Sequence, residues 1–196
     1  MKRWIIGITG ASGMRFVLRM LEVLSQDNFE LHVVISDAGI RVLDEEEGIR
    51  VGSDFSNLLS EKKENIIFHK SKDIGASIAS GTFKNEGMVI CPCSMSTVGA
   101  IANGLSMNLV HRAAEVTLKE KRSLVIVPRE TPLSLIHLKN LTVLSEAGVS
   151  IVPAMPGFYH KPKTIEELVD MMVMKILDVM KINSDLVSRW KENRNV

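Results

Sequence analysis

Small hydroxyl residues gather in this chain where an apolar run gives way to a helical pattern. Arg3 to Ile8 (RWIIGI) is followed at once by Thr9-Gly10-Ala11-Ser12-Gly13. Met88-Val89-Ile90-Cys91 leads through Pro92 into Cys93-Ser94-Met95-Ser96 and then a small-residue helix. A third run, Ser123 to Val127 (SLVIV), ends in Pro128-Arg129-Glu130-Thr131-Pro132, with a cation and a carboxylate side by side. Serines at a helix entrance either cap it or hold an anion or a polar ring edge against the helix dipole. An adjacent Arg and Glu can tie two loops together or face a ligand. If these runs are strands of one parallel sheet, all of the groups project into the crevice at its carboxyl edge, where open α/β sheets bind ligands.

Several other chemistries fail on spacing. The glycines at 7, 10 and 13 read G-x-x-G-x-x-G, not the dinucleotide G-x-G-x-x-G, although a phosphate near a helix N-terminus still makes physical sense there. No G-x-S-x-G elbow and no G-x-x-x-x-G-K-[ST] loop occurs. His32, His69, His111, His137 and His160 are scattered, and Cys91-Pro92-Cys93 completes no zinc set, so no metal is expected. Twenty-four basic against 23 acidic residues leave a net charge of +1, which gives no electrostatic reason to expect nucleic acid or an anionic membrane as partner. Leu168 to Met180 is too short and too charged to span a bilayer. Two cysteines this close in one strand end cannot bond to each other, and the absence of a disulfide framework predicts a cytoplasmic protein.

The elements that must carry these groups follow from periodicity. Apolar runs at 3–8, 31–35, 66–68, 88–91, 123–127 and 149–152 predict five or six short strands, with Pro92 stopping the fourth. Helical spacing appears from Phe16 to Leu24, through Ile40, Val42 and Leu43, over Leu133 to Leu144, and over Ile165 to Met180. Ala113 to Arg122 reads as an exposed, charged helix, and Asp44-Glu45-Glu46-Glu47 as a mostly solvated face. Gly48 to Lys72 is weakly patterned, and the methionines near 171–180 are core filler. Strands alternating with helices predict one α/β domain, a parallel sheet with helices on both faces.

The blocks GITGASG, DIGASIASGTF (73–83), GMVICPCSMSTV (87–98), NLVHRAAEVTLKEKRSLVIVPRETPLSLIHL (108–138) and PAMPGFYHKP (153–162) together resemble the flavin prenyltransferases, the UbiX family, over nearly the whole chain. The resemblance implies a Rossmann-like (flavodoxin-like) three-layer sandwich, a single domain over 1–196 whose tail from about 181 reaches a neighbouring subunit of a homo-oligomer. It implies metal-independent transfer of the dimethylallyl group of dimethylallyl phosphate to N5 and C6 of reduced FMN, making prenylated FMN for a UbiD-like decarboxylase. Gly10, Ala11, Ser12, Ser36, Cys93, Ser94, Met95, Ser96 and Arg129 match flavin-binding positions. Arg112, Lys119, Glu130, Tyr159 and Lys175 match positions that bind and activate the allylic phosphate, Glu46 a carboxylate that removes the C6 proton, and Trp190 a tryptophan that closes over a neighbour's site.

These roles are chemically coherent. Arg112, Lys119 and Lys175 can stabilise a departing phosphate. Tyr159 and Trp190 can face a developing allylic cation. Glu130, if its pKa is raised by partial burial, can carry a proton. The chain departs from the family pattern at Lys175, where arginine is usual, at Met107, and at Arg15 beside the glycine turn. Two other readings compete: an FMN-dependent decarboxylase of peptidyl-cysteine or phosphopantothenoylcysteine type, and a non-catalytic FMN carrier. Arg129-Glu130-Thr131-Pro132 argues against the first, and Lys119, Glu130 and Tyr159 together against the second.

Overall fold

Each apolar run becomes a strand of a single sheet. In the computed structural model, which describes residues 1–26, 28–52, 55, 57–59, 61 and 63–189, the first is β1 (Lys2–Ile8). It is followed by α1 (Met14–Gln26), β2 (Phe29–Ile35), α2 (Asp37–Glu47) and β3 (Ile66–Lys70). The second half runs β4 (Gly87–Cys93), α3 (Met95–Ala102), α4 (Leu109–Lys119), β5 (Ser123–Pro128), α5 (Leu135–Glu146), β6 (Ser150–Ile151) and α6 (Ile165–Val179). All neighbouring strands pair in parallel, in the order β3-β2-β1-β4-β5-β6. The expected α/β sandwich is what forms, with the doubly wound order of the Rossmann type. Its topological switch point lies between β1 and β4.

Strand side chains alternate between two cores. Ile6, Ile8, Val33 and Val89 face a layer built by α1, α6 and Leu43 of α2. Ile5, Val34, Met88 and Ile90 face the layer of α3 and α4, with Leu144 of α5. Strands buried on both faces must be apolar at every position, which is why these runs carry no period-2 signal.

Two expectations need correction. Pro92 does not stop β4; the strand continues to Cys93, and the missing N–H falls where the pairing with β5 shifts register between Ile90 and Cys93. That shift sends Cys91 and Cys93 to opposite cores, so the two thiols are free because the sheet lies between them. Ala113 to Arg122 is not an exposed helix face: Ala113, Ala114, Val116 and Thr117 are buried, and only the far side of α4 is wet. The middle of the 73–83 block packs along α4, where Ile78 is buried and Arg122 donates to the Gly81 carbonyl at 2.6 Å.

Candidate active site at the switch point

The two lips of the crevice are joined by one buried hydroxyl. Thr9, just past β1, donates from Oγ1 to the Pro92 carbonyl at 2.9 Å and accepts the Ser94 N–H at 2.8 Å. Its own N–H donates to the same carbonyl at 3.2 Å. Thr9 was visible in the sequence only as part of a glycine turn; a β-branched hydroxyl directly after a buried strand was the available signal. The next residue must be glycine, because a Cβ on Gly10 would sit 2.5 Å from that of Ala38 in α2.

Beyond this join, the α1 N-terminus already holds an anion. Glu46, at the end of α2, accepts the N–H groups of Gly13 and Met14 at 3.0 Å each, and the Ser12 side chain bonds to the same carboxylate. Burial alone would raise the Glu46 pKa. The Ser12 bond, the two backbone N–H groups and the charge of Arg129 outweigh it, and the pKa falls below the ordinary carboxylate value. Ser12, Glu46 and Arg129, from three separate chain segments, therefore form one electrostatic unit at the carboxyl edge. A phosphate at this helix end, which the glycine turn suggested, would have to displace the carboxylate.

Across the crevice, Ser94 caps α3, its Oγ accepting the Thr97 N–H at 3.3 Å and lying 2.9 Å from Ser96 Oγ. Ser36 caps α2 in the same way, accepting the Gly39 N–H at 3.0 Å. For Ser36 the cap and site readings are compatible, since the capping hydroxyl still has a proton to donate, whereas the Ser94 hydroxyl already donates to Thr97 Oγ1 at 3.1 Å. Cys93 and Met95 differ: both side chains are buried in the α3/α4 core, and burial pushes the Cys93 thiol well above its usual range. Only their backbone can serve a ligand.

The phosphate-binding candidates divide among four places. Tyr159 and Lys175 line one cavity of about 140 Å³ with His160, Asp178 and Arg189, between α6 and the segment leading into it. Arg112, in the first turns of α4, is paired with Glu115 at 3.0 Å; the Ser106 hydroxyl first, and Arg112 with it, hold that carboxyl below its ordinary pKa. Lys119 ends α4, four residues before β5 begins, so it lies at the amino edge of the sheet, where it pairs with Glu120 at 3.0 Å. Within one chain, Lys119 is not brought to the rim that holds Ser12 and Arg129. Glu130 is exposed and accepts the Thr131 N–H at 3.0 Å, so the partial burial expected of it is absent in the single chain. Trp190 lies outside the described residues. Arg15, conspicuous in the sequence, bonds Glu47 at 3.0 Å and serves the packing of α1 against α2.

A sheet of this order with a hydroxyl-lined switch point defines a nucleotide-type binding protein, and comparison with known proteins narrows the class. The family model described as Flavoprotein matches residues 1–189. The flavin prenyltransferase UbiX of Halalkalibacterium halodurans is 46% identical over 195 residues, 98% of this chain and 95% of that protein. AnUbiX, solved in complex with FMN and dimethylallyl pyrophosphate, superposes with a TM-score of 0.88 at 36% identity, covering 96% of this chain and 97% of that one. A dodecameric FMN-dependent UbiX-like decarboxylase from Escherichia coli O157:H7 gives 0.87 at 39% identity, covering 96% and 98%. The chain belongs to the flavin prenyltransferase family.

Proposed function

We propose that this chain transfers the dimethylallyl group of dimethylallyl phosphate to N5 and C6 of reduced FMN, in the cytoplasm, and delivers prenylated FMN to a UbiD-like decarboxylase. The observation that carries the reading is the Ser12–Glu46–Arg129 unit at the β1/β4 switch point. The donor set there suits a flavin: hydroxyls of Ser12, Ser36, Ser94 and Ser96 match a ring rimmed with carbonyl and N–H groups, and Arg129 supplies a cation. No group of three or more metal-ligating side chains occurs among the described residues. Reduced FMN supplies the nucleophilic nitrogen and carbon. The protein's part is to hold the ring on Gly10, Ala11 and the backbone from Cys93 to Ser96, with Ser12 beside N5 and Arg129 at the flavin edge. Glu46, ionised at neutral pH, accepts the proton released at C6. Tyr159 and Lys175 hold the allylic phosphate, with Arg112 and Glu130 adding charge and a proton carrier, so that the C–O bond breaks against preorganised cations.

The chain works as a homo-oligomer with sites between subunits. Leu133, Leu135 and Ile136 after β5, Met155 and Phe158 after β6, and Met107 before α4 are all 44–72% exposed on the carboxyl rim of the single chain. Apolar residues crowded beside a polar crevice favour burial against a second copy. Lys119, remote from its own crevice, would then serve a neighbour's pocket, and the tail carrying Trp190 would reach one too.

The test is anaerobic incubation of the protein with reduced FMN and dimethylallyl phosphate, followed by mass measurement of the extracted flavin. A mass gain of one dimethylallyl group in place of hydrogen is expected. Flavin of unchanged mass, bound or released, defeats the transferase reading and leaves the carrier; carbon dioxide released from a cysteinyl substrate would favour the decarboxylase.

A further inference from the structure

His160 lies between β6 and α6, and neither of its ring nitrogens has a hydrogen-bond partner among the described residues, although both are shielded from solvent. Burying a polar group with no partner is costly, and native structures rarely do so without a ligand or water to complete the bond. The same imidazole lines the cavity of about 140 Å³ shared by Tyr159, Lys175, Asp178 and Arg189. The charged groups lining that cavity are not all paired with one another. Asp178 is held by Arg189 through two contacts of 3.0 and 2.7 Å, so its negative charge is already matched. Lys175 is exposed and has no ion pair among the described residues, so its ammonium is available to a ligand in the cavity. A shielded imidazole with an unsatisfied N–H, sharing a cavity with an accessible ammonium, suits a ligand that is both anionic and rich in acceptor oxygens.

We propose that His160 is a direct ligand of the phosphate group of the allylic substrate, donating one ring N–H to a phosphate oxygen that Lys175 also contacts. This rests on the reading of Tyr159 and Lys175 as the holders of that phosphate. The histidine supplies the directional hydrogen bond that lysine, a rotatable point charge, lacks where an arginine fork is absent. It also explains why a half-buried side chain in a turn segment keeps both ring nitrogens shielded from solvent.

Inorganic phosphate is the probe, added to the FMN-loaded protein as a competitor of dimethylallyl phosphate. His160→Phe keeps the ring volume and removes both nitrogens; His160→Gln restores a donor. The phenylalanine variant is expected to raise the inhibition constant of phosphate and the KM of dimethylallyl phosphate on the order of tenfold to a hundredfold, the effect of losing a hydrogen bond to a charged group. FMN affinity should stay unchanged, and the glutamine variant should recover part of the loss. Phosphate inhibition equal to wild type in both variants overturns the assignment. If wild type converts no flavin at all, the functional reading fails instead, and the two failures are told apart by that control. Should the phenylalanine variant not assemble, ring-¹⁵N histidine signals of the wild-type protein decide: a saturable shift with phosphate, absent from the glutamine variant, supports the contact, and unmoved signals overturn it.

Discussion

Glu46 Oε2 lies 3.0 Å from the backbone nitrogen of Met14, which couples the acidic end of α2 to the first turn of α1. The carboxylate completes an N-terminus whose own first-turn amides lack intrahelical partners, and it sits where negative charge is favoured by the helix dipole. Its proton affinity is lowered by the Ser12 bond, the Gly13 and Met14 N–H groups and Arg129, against the opposing pull of burial. A group with a depressed folded pKa stabilises the protein above the ordinary carboxylate value and loses that contribution as pH falls below it.

Glu46→Gln should therefore lower stability by about 1 kcal/mol, the usual loss when a helix N-terminus loses a charged acceptor. FMN should still bind. Prenyl transfer should slow on the order of a hundredfold or more, the typical effect of removing a general base. Denaturant unfolding and single-turnover analysis of the extracted flavin check both parts; unaltered turnover would remove Glu46 from the chemistry and leave it a cap.

Glu130→Gln is expected to leave FMN bound and the fold intact, since the side chain is exposed and, among the described residues, bonds to the Thr131 N–H alone. The rate of prenyl transfer is what should fall. Equal turnover in the variant would show that no proton passes through this position.

Lys175→Arg restores the planar, bidentate donor suited to phosphate geometry. Tighter binding of dimethylallyl phosphate, seen as a severalfold lower KM at unchanged FMN affinity, is the expected outcome. Weaker binding would mean that the lysine faces the cavity without touching the phosphate.

Thr9→Val replaces the buried hydroxyl by a methyl of similar shape and leaves the Pro92 carbonyl and the Ser94 N–H each without the Thr9 hydroxyl. The cost should be about 1–3 kcal/mol, the range for an unmade bond at a buried polar group. Because the join spans the crevice, FMN affinity should fall with stability. A variant as stable as wild type that binds FMN equally well would show that the two strand ends are held by sheet pairing alone.

Acid should loosen the opposite edge of the sheet. His32 Nδ1 lies 2.9 Å from His69 Nε2, and His32 Nε2 lies 2.8 Å from Glu30, which Arg3 also binds at 2.8 Å. Burial lowers the pKa of both imidazoles, so the folded protein takes up their protons later than the unfolded chain does. Their contribution is full above about pH 6.5, the unperturbed histidine value, and is lost as pH falls through the depressed folded values. The unfolding midpoint should drop as pH falls below about 6.5, with faster amide exchange in β3. Replacing both histidines by leucine should flatten that dependence; an equally steep curve in the double variant would assign it to the carboxylates.

The alternation of buried runs with helical spacing was enough to read a parallel sheet with helices on both faces, because strand and helix periods are local properties of the chain. The residue blocks likewise carried the family resemblance and the identity of Ser12, Arg129 and Tyr159 as positions of interest. Pairing is not local. That β1 lies beside β4, that Thr9 reaches Ser94, and that Glu46 meets an amide 32 residues away all depend on how the layers close. The same holds for Cys93, turned away from the crevice by one register shift, and for Lys119, carried by the length of α4 to the far edge of its own sheet. Sequence period fixes which face of an element is apolar, while the direction in which a particular polar side chain points is decided by what packs against it.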